Sequence, residues 1–92
     1  MKKLVQTIEV ENQGLEALLG EDVMLLCLNY IYAGKLVSVN DKDVLLENAH
    51  IVYETGAFSD SEFKDAQKLP SDEWRIKTTT IESYGVITQL KK

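Results

Sequence analysis

His50 is the only histidine of this chain and Cys27 the only cysteine. An imidazole beside a thiol can make a nucleophile, provided both lie on one face of one site and donors stand ready for the oxyanion. No stretch of the sequence supplies that third element. Taken singly, His50 reads as a strand residue beside Ile51, and Cys27 as a small hydrophobe inside an apolar run. One Cys and one His cannot complete a tetrahedral zinc centre. Asp41 and Asp43 flank Lys42 and could touch a calcium ion, but a solvated hairpin tip is the simpler reading. No glycine-rich phosphate cradle is present. The expectation is therefore a protein without catalytic residues, metal or cofactor. The aromatic side chains offer stacking instead of bond making. Tyr30 and Tyr32 share a strand face because side chains alternate with period two, and Trp74 and Tyr84 stand in the last third of the chain.

Elements must position these groups, and composition bounds what elements are available. With 92 residues, 45% apolar and 27% charged, the chain has the make-up of one globular domain spanning residues 1–92. The longest apolar run, residues 23–28, is far short of the roughly 20 residues that span a bilayer. Met1-Lys2-Lys3 is followed by no apolar segment of signal-peptide length, so a cytoplasmic protein without membrane contact is expected. The net charge of -5 opposes non-specific attraction to polyanions. Most of it sits in residues 54–73, where six acids face two bases. That segment is read as an acidic insertion able to meet a protein partner.

Residues 4–11 favour a strand by their β-branched content. Asn12 can cap a short helix that carries Leu15, Leu18 and Leu19 on one face and stops at Gly20. Residues 23–32 read as a covered strand. Gly34 then marks a bend or bulge, Leu36-Val37-Ser38-Val39 resumes the strand, and Asn40-Asp41-Lys42-Asp43 turns it into residues 44–53. In the acidic segment, Ser59 and Glu62 have capping-box spacing, and Phe63, Ala66 and Leu69 recur helically before Pro70. A helical or loop insertion is expected there. Residues 74–81 and 86–90 read as two further strands around a turn at Glu82-Ser83-Tyr84-Gly85. The expected fold is mainly β: a short N-terminal helix, then a five-stranded, strongly bent antiparallel sheet of the small SH3-like barrel kind.

Gly34-Lys35-Leu36, then Asn40, then Val44-Leu45-Leu46-Glu47-Asn48-Ala49 follows the first motif of the Sm/LSm family. That motif is glycine-x-leucine, an acid after three residues, a polar turn, and an apolar strand ending acid-x-alanine. Leu18-Leu19-Gly20-Glu21-Asp22-Val23 resembles the end of the family's helix and the start of its first strand. Ile81-Glu82-Ser83-Tyr84-Gly85-Val86-Ile87 corresponds in length to the second motif, Ile-Arg-Gly with two polar residues and an apolar strand. The chain thus resembles that family over residues 15–53 and 76–90.

The resemblance implies a base-gripping pocket made by Asn40, Lys42, Asp43, Glu82, Ser83 and Tyr84. Several positions depart from the family's pattern. Asn40 replaces the acid, Asp43 the asparagine, Lys42 the stacking group and Glu82 the arginine, while Ser83 replaces the glycine. Tyr84 is the remaining stacking candidate. The resemblance also implies a closed homo-oligomeric ring of about five to seven subunits. Its interface would pair an edge strand containing Thr78, Thr79, Thr80 and Ile81 with one containing Val86, Ile87 and Thr88. Two functions follow as expectations: a ring that binds RNA or another single-stranded nucleic acid weakly, or an oligomeric scaffold that has lost RNA binding.

Overall fold

The computed structural model describes residues 14–88. Within them the chain is mainly β, with six antiparallel strands in one sheet and only two 3-10 turns for helix. The strands are β1 (Asp22–Cys27), β2 (Ile31–Val39), β3 (Asp43–Glu54), β4 (Asp65–Lys68), β5 (Glu73–Lys77) and β6 (Ile81–Val86). Hydrogen-bonded neighbours run β4-β3-β2-β1-β6, and β5 also pairs with β3. The two short strands divide the free edge of β3 between them. Residues Asp43 to Glu47 pair with β5, and His50 to Glu54 with β4. No helix among the described residues is long and apolar enough to cross a membrane.

The bend expected at Gly34 is present, and three strands make it. Ala33 pairs with His50 and Lys35 with Glu47, so Gly34 faces two residues, Asn48 and Ala49. Such a bulge bends and twists the strand that carries the extra residue. Asn48 has φ 53, a left-handed conformation that asparagine tolerates better than most side chains. On the far edge of β3, the Asn48 amide donates to the Asp72 carbonyl at 3.0 Å and the Leu69 amide to the Ala49 carbonyl at 2.8 Å. Residues 69–72 therefore carry the chain past the kink between β4 and β5. Asn48→Gly should keep wild-type stability within about 0.5 kcal/mol, whereas Asn48→Val should lose about 1–2 kcal/mol in urea unfolding. Equal stabilities for the two variants would show that the conformation at residue 48 does not matter.

Strand alternation builds two apolar layers. Val23, Leu25, Leu36, Val44, Leu46 and Ala49 are fully buried on one face with Ile76, and Leu15, Leu18, Tyr32 and Trp74 pack around them. On the other face, Ala33 and Val52 are covered by Ile31, Phe63, Ala66 and Ile87.

Four local expectations are corrected. The N-terminal helix is a single 3-10 turn, Leu15–Leu18, without a side-chain cap. Just beyond it the Gly20 amide donates to the Leu36 carbonyl at 2.7 Å, which draws the backbone into the sheet. Asn12 and residues 4–11 lie outside the described residues. Second, residues 23–32 are not one strand. The Cys27 amide donates to the Tyr30 carbonyl at 3.0 Å, closing a hairpin between β1 and β2.

Third, no helix forms at the Ser59/Glu62 capping-box spacing. The Asp60 carboxylate instead accepts from the Ala57 amide at 3.3 Å in a turn. Residues 65–68 enter the sheet as β4, where they satisfy the upper edge of β3 and place Ala66 against the second apolar layer. Fourth, Thr78, Thr79 and Thr80 form a 3-10 turn, while Glu82, Ser83, Tyr84 and Gly85 lie inside β6. The expected strand and turn have exchanged places. Ile81 and Val86 bound β6, and Ile87 and Thr88 follow it, with the Ile87 amide donating to the Asp22 carbonyl at 2.9 Å.

Candidate functional site

The turn at residues 40–43 is built by its own side chains. Asn40 Oδ1 accepts from the amides of Lys42 at 2.7 Å and Asp43 at 2.9 Å. Its Nδ2 donates to Asp43 Oδ1 at 3.3 Å. This side-chain mimicry of a backbone turn is a common role of asparagine. It also leaves both polar groups engaged, so a ligand would have to compete for them.

The Thr78–Thr80 turn docks on this tip. The Thr78 amide donates to the Lys42 carbonyl at 3.0 Å, and Thr78 Oγ1 donates to the Asp41 carbonyl at 2.9 Å. At the other end of the turn, the Leu28 amide donates to the Thr80 carbonyl at 2.9 Å. One short turn thus ties the β2–β3 tip to the end of β1. Lys77 stands directly across from Asp43 in the β3–β5 register. Arg75 Nη1 donates to Asp43 Oδ1 at 3.0 Å, with both side chains partly in water. Such a pair contributes about 0–1 kcal/mol, so its use is orientation of the two groups.

Asn40, Lys42 and Asp43 therefore gather with Arg75, Lys77 and Thr78 at one rim. Glu82, Ser83 and Tyr84 do not form a second turn there. They run along β6 beside β1, with Ser83 across from Leu26 and Tyr84 across from Leu25. Glu82 is the additional residue at a bulge, since Cys27 pairs with Ile81 and Leu26 with Ser83. The sequence reading named neither Arg75 nor Lys77 as a site residue, and it set Thr78 in an edge strand rather than at this rim. The alternation of Trp74 and Ile76 with Arg75 and Lys77 held the signal, because it sends both cations to the face opposite the core.

The other chemical candidates separate. Leu25 and Tyr32 pair across β1 and β2, and Cys27 lies two residues on, packed with them against the main core. His50 pairs with Ala33 on the other face, its Nδ1 2.9 Å from the Asn48 carbonyl. A Cys27/His50 nucleophile pair is excluded by this placement. Burial pushes the Cys27 thiol pKa up, and a hydrogen bond with Thr80 offsets part of that rise. Tyr30 and Tyr32 meet edge to face with ring centroids 6.3 Å apart. Tyr32 is half-buried and Tyr30 exposed, and Tyr53 donates to Gln67 Oε1 at 3.3 Å beyond them.

An open cavity of about 680 Å3 is lined by Glu47, Asn48, Ser71, Asp72 and Glu73. Among the described residues no group of three or more His, Cys, Asp or Glu is placed to hold a metal ion. Lys68 donates to Asp72 at 2.8 Å, and that hydrogen bond and charge hold the Asp72 carboxyl below its usual range. No model of a known protein family matches the chain, and no curated protein matches it.

Proposed function

We propose that the protein is a non-enzymatic, Sm-like subunit that closes into a homo-oligomeric ring of about five to seven copies. Its β2–β3 rim offers single-stranded RNA a weak site. The docking of Thr78 on the carbonyls of Asp41 and Lys42 carries this reading, because it puts a cation beside the Asn40–Asp43 tip. With that turn in view, the second Sm motif fits Ile76-Lys77-Thr78-Thr79-Thr80-Ile81 better than it fits Ile81-Glu82-Ser83. Lys77 then takes the arginine position, and Glu82 no longer stands in the pocket. β4 and β5 follow one another along one edge of β3, so they count as a single interrupted strand, which returns the five-strand order of the resemblance.

Edge strands support the ring. Among the described residues β6 pairs only with β1, and β4 and β5 only with β3. Open edges invite pairing with another chain unless they are blocked. A sizing column with light scattering should give a single multiple of 10.4 kDa in the range of about five to seven. A monomer at micromolar concentration would sink the ring.

RNA binding is tested by fluorescence anisotropy with a labelled oligo-U at low salt. Lys42→Glu with Lys77→Glu should abolish measurable binding. Lys77→Ala alone should lower the slope of log K against log salt by about 1. Wild-type affinity in the double variant would move the site elsewhere. A second reading, a scaffold that binds protein and no RNA, is favoured by charge. A ring of such subunits would carry roughly -25 to -35, a field that repels polyanions. The exposed Leu28, Tyr30, Tyr53 and Phe58 and the acidic residues 54–73 would then be its contact surface. Wild-type protein that assembles but gives no anisotropy change at low salt would establish this reading over the first.

A further inference from the structure

Tyr30 and Tyr53 are left 53% and 55% exposed, yet each is held in place by a neighbour. The last ladder pair between β2 and β3 at this end is Ile31 with Val52, and the two tyrosines take the next positions beyond it. They stand at the opposite end of those strands from the Asn40–Asp43 tip. The Tyr30 ring meets Tyr32 edge to face, with centroids 6.3 Å apart. Tyr53 is the additional residue of a bulge, since Val52 pairs with Ala66 and Glu54 with Asp65. A bulge re-aims the side chain it carries, and here the Tyr53 hydroxyl donates to Gln67 Oε1 at 3.3 Å.

Both rings line an open cavity of about 320 Å3, with Cys27, Asn29, Ile31 and Val52 as its remaining walls. That is room for one long side chain. Aromatic faces are negative and attract cations, and the charges beside the cavity have the same sign. Glu54 follows Tyr53 directly and pairs across the strands with Asp65. Like charges directly opposite one another destabilise a sheet. Lys64 stands 3.8 Å from Glu54, with both side chains mostly in water, and Asp65 has no ion pair among the described residues.

Resting on the reading of a scaffold that binds protein, and needing no ring, we infer that Tyr30 and Tyr53 form a pocket for an arginine side chain. A basic segment of a partner protein presents it. The guanidinium is planar, so it stacks on a ring face and keeps its N–H fork for a carboxylate. Its aliphatic stem lies along Ile31 and Val52, and its charge relieves the repulsion between Glu54 and Asp65. A lysine ammonium is more strongly hydrated and cannot stack as a plane, which makes arginine the better occupant. A nucleobase also stacks on tyrosine, but its phosphate would meet the carboxylates of Glu54 and Asp65.

Fluorescence anisotropy tests the pocket with a labelled peptide of alternating glycine and arginine. The control peptide carries glutamine at every arginine. At about 0.15 M salt diffuse attraction is largely screened. Wild type should then bind the arginine peptide about tenfold more tightly than the control. Tyr30→Leu with Tyr53→Leu keeps apolar bulk at both positions and leaves the net charge unchanged, yet it should weaken binding about tenfold. Tyr30→Phe with Tyr53→Phe keeps both ring faces and should stay within about threefold of wild type. Glu54→Gln with Asp65→Asn should weaken binding and flatten its dependence on salt. Both tyrosines are exposed, so circular dichroism of these variants should match wild type.

A leucine variant that binds the arginine peptide like wild type, or a phenylalanine variant as weak as the leucine one, overturns the pocket. In either case a protein-binding surface elsewhere on the chain still stands. Wild type that does not distinguish the two peptides overturns the pocket as well, and if it also binds oligo-U, the scaffold reading falls with it. Loss of oligo-U binding in the leucine variant would make the two rings a platform for bases and overturn the inference.

Discussion

Gly34→Ala should lower the unfolding free energy by about 3 kcal/mol, and Gly34→Val should leave too little stability for a cooperative transition. A Cβ at residue 34 would sit 2.9 Å from the Glu47 carbonyl oxygen, 3.1 Å from Ala49 Cα and 3.2 Å from Leu46 Cβ. Two of these atoms are backbone of β3, which is held on its other edge by β4 and β5. No side chain can rotate away to make room, so the strands must separate where Asn48 is already strained. Overpacking in a core costs about 1–3 kcal/mol, and a backbone-limited clash belongs at the upper end. Urea unfolding followed by the fluorescence of Trp74, the only tryptophan, would measure it. A Gly34→Ala variant within about 0.5 kcal/mol of wild type would show that β2 and β3 can part freely there. Gly85→Ala, at a glycine with open space around it, is the matched control and should cost the protomer nothing.

That contrast between two glycines also shows how much was legible in the sequence. Gly34 announced itself because it interrupts an apolar run, and the bulge appears where expected. The Asn40-Asp41-Lys42-Asp43 tip was legible for a local reason. Asparagine closes its own turn by accepting from the amides of Lys42 and Asp43, and no distant residue is needed. The misread elements are those decided by distant partners. Three consecutive threonines favour a strand by propensity. Yet Thr78 Oγ1 donates to the Asp41 carbonyl at 2.9 Å, 37 residues away along the chain, and Thr80 Oγ1 to the Lys77 carbonyl at 2.8 Å. Threonine hydroxyls that capture carbonyls in this way compete with ladder formation.

The acidic segment failed as a helix for a related reason. Phe63, Ala66 and Leu69 do have helical spacing, but the upper edge of β3 lacked a partner, and residues 65–68 supply it. Placing the turn at Glu82 rather than at Thr78 passed over Arg75 and Lys77, which stand with Thr78 beside the Asn40–Asp43 tip.

Leu25→Ala is expected to remove about 2–5 kcal/mol from a chain whose whole stability is roughly 5–14 kcal/mol at this length. Leu25 is fully buried, and its strand neighbours are Tyr32 on β2 and Tyr84 on β6. Truncation leaves a cavity at the centre of the main apolar layer, and the two flanking strands limit its collapse. Leu25→Met keeps nearly the same volume and should cost less than about 1.5 kcal/mol. An equal loss in both variants would mean that side-chain shape, and not burial, sets the value. The position also links fold to assembly, because Tyr84 lies beside Leu25 on the strand proposed to join the next subunit. Whatever binds only the folded chain stabilises it by mass action. The melting temperature of wild type and of Leu25→Ala should therefore rise with protein concentration, and the variant should regain part of its loss at the highest concentrations. Melting temperatures that stay flat over about a hundredfold range of concentration would separate the core from the edge. In that case the half-exposed Tyr84 and Val86 would contribute nothing to the stability of the folded state.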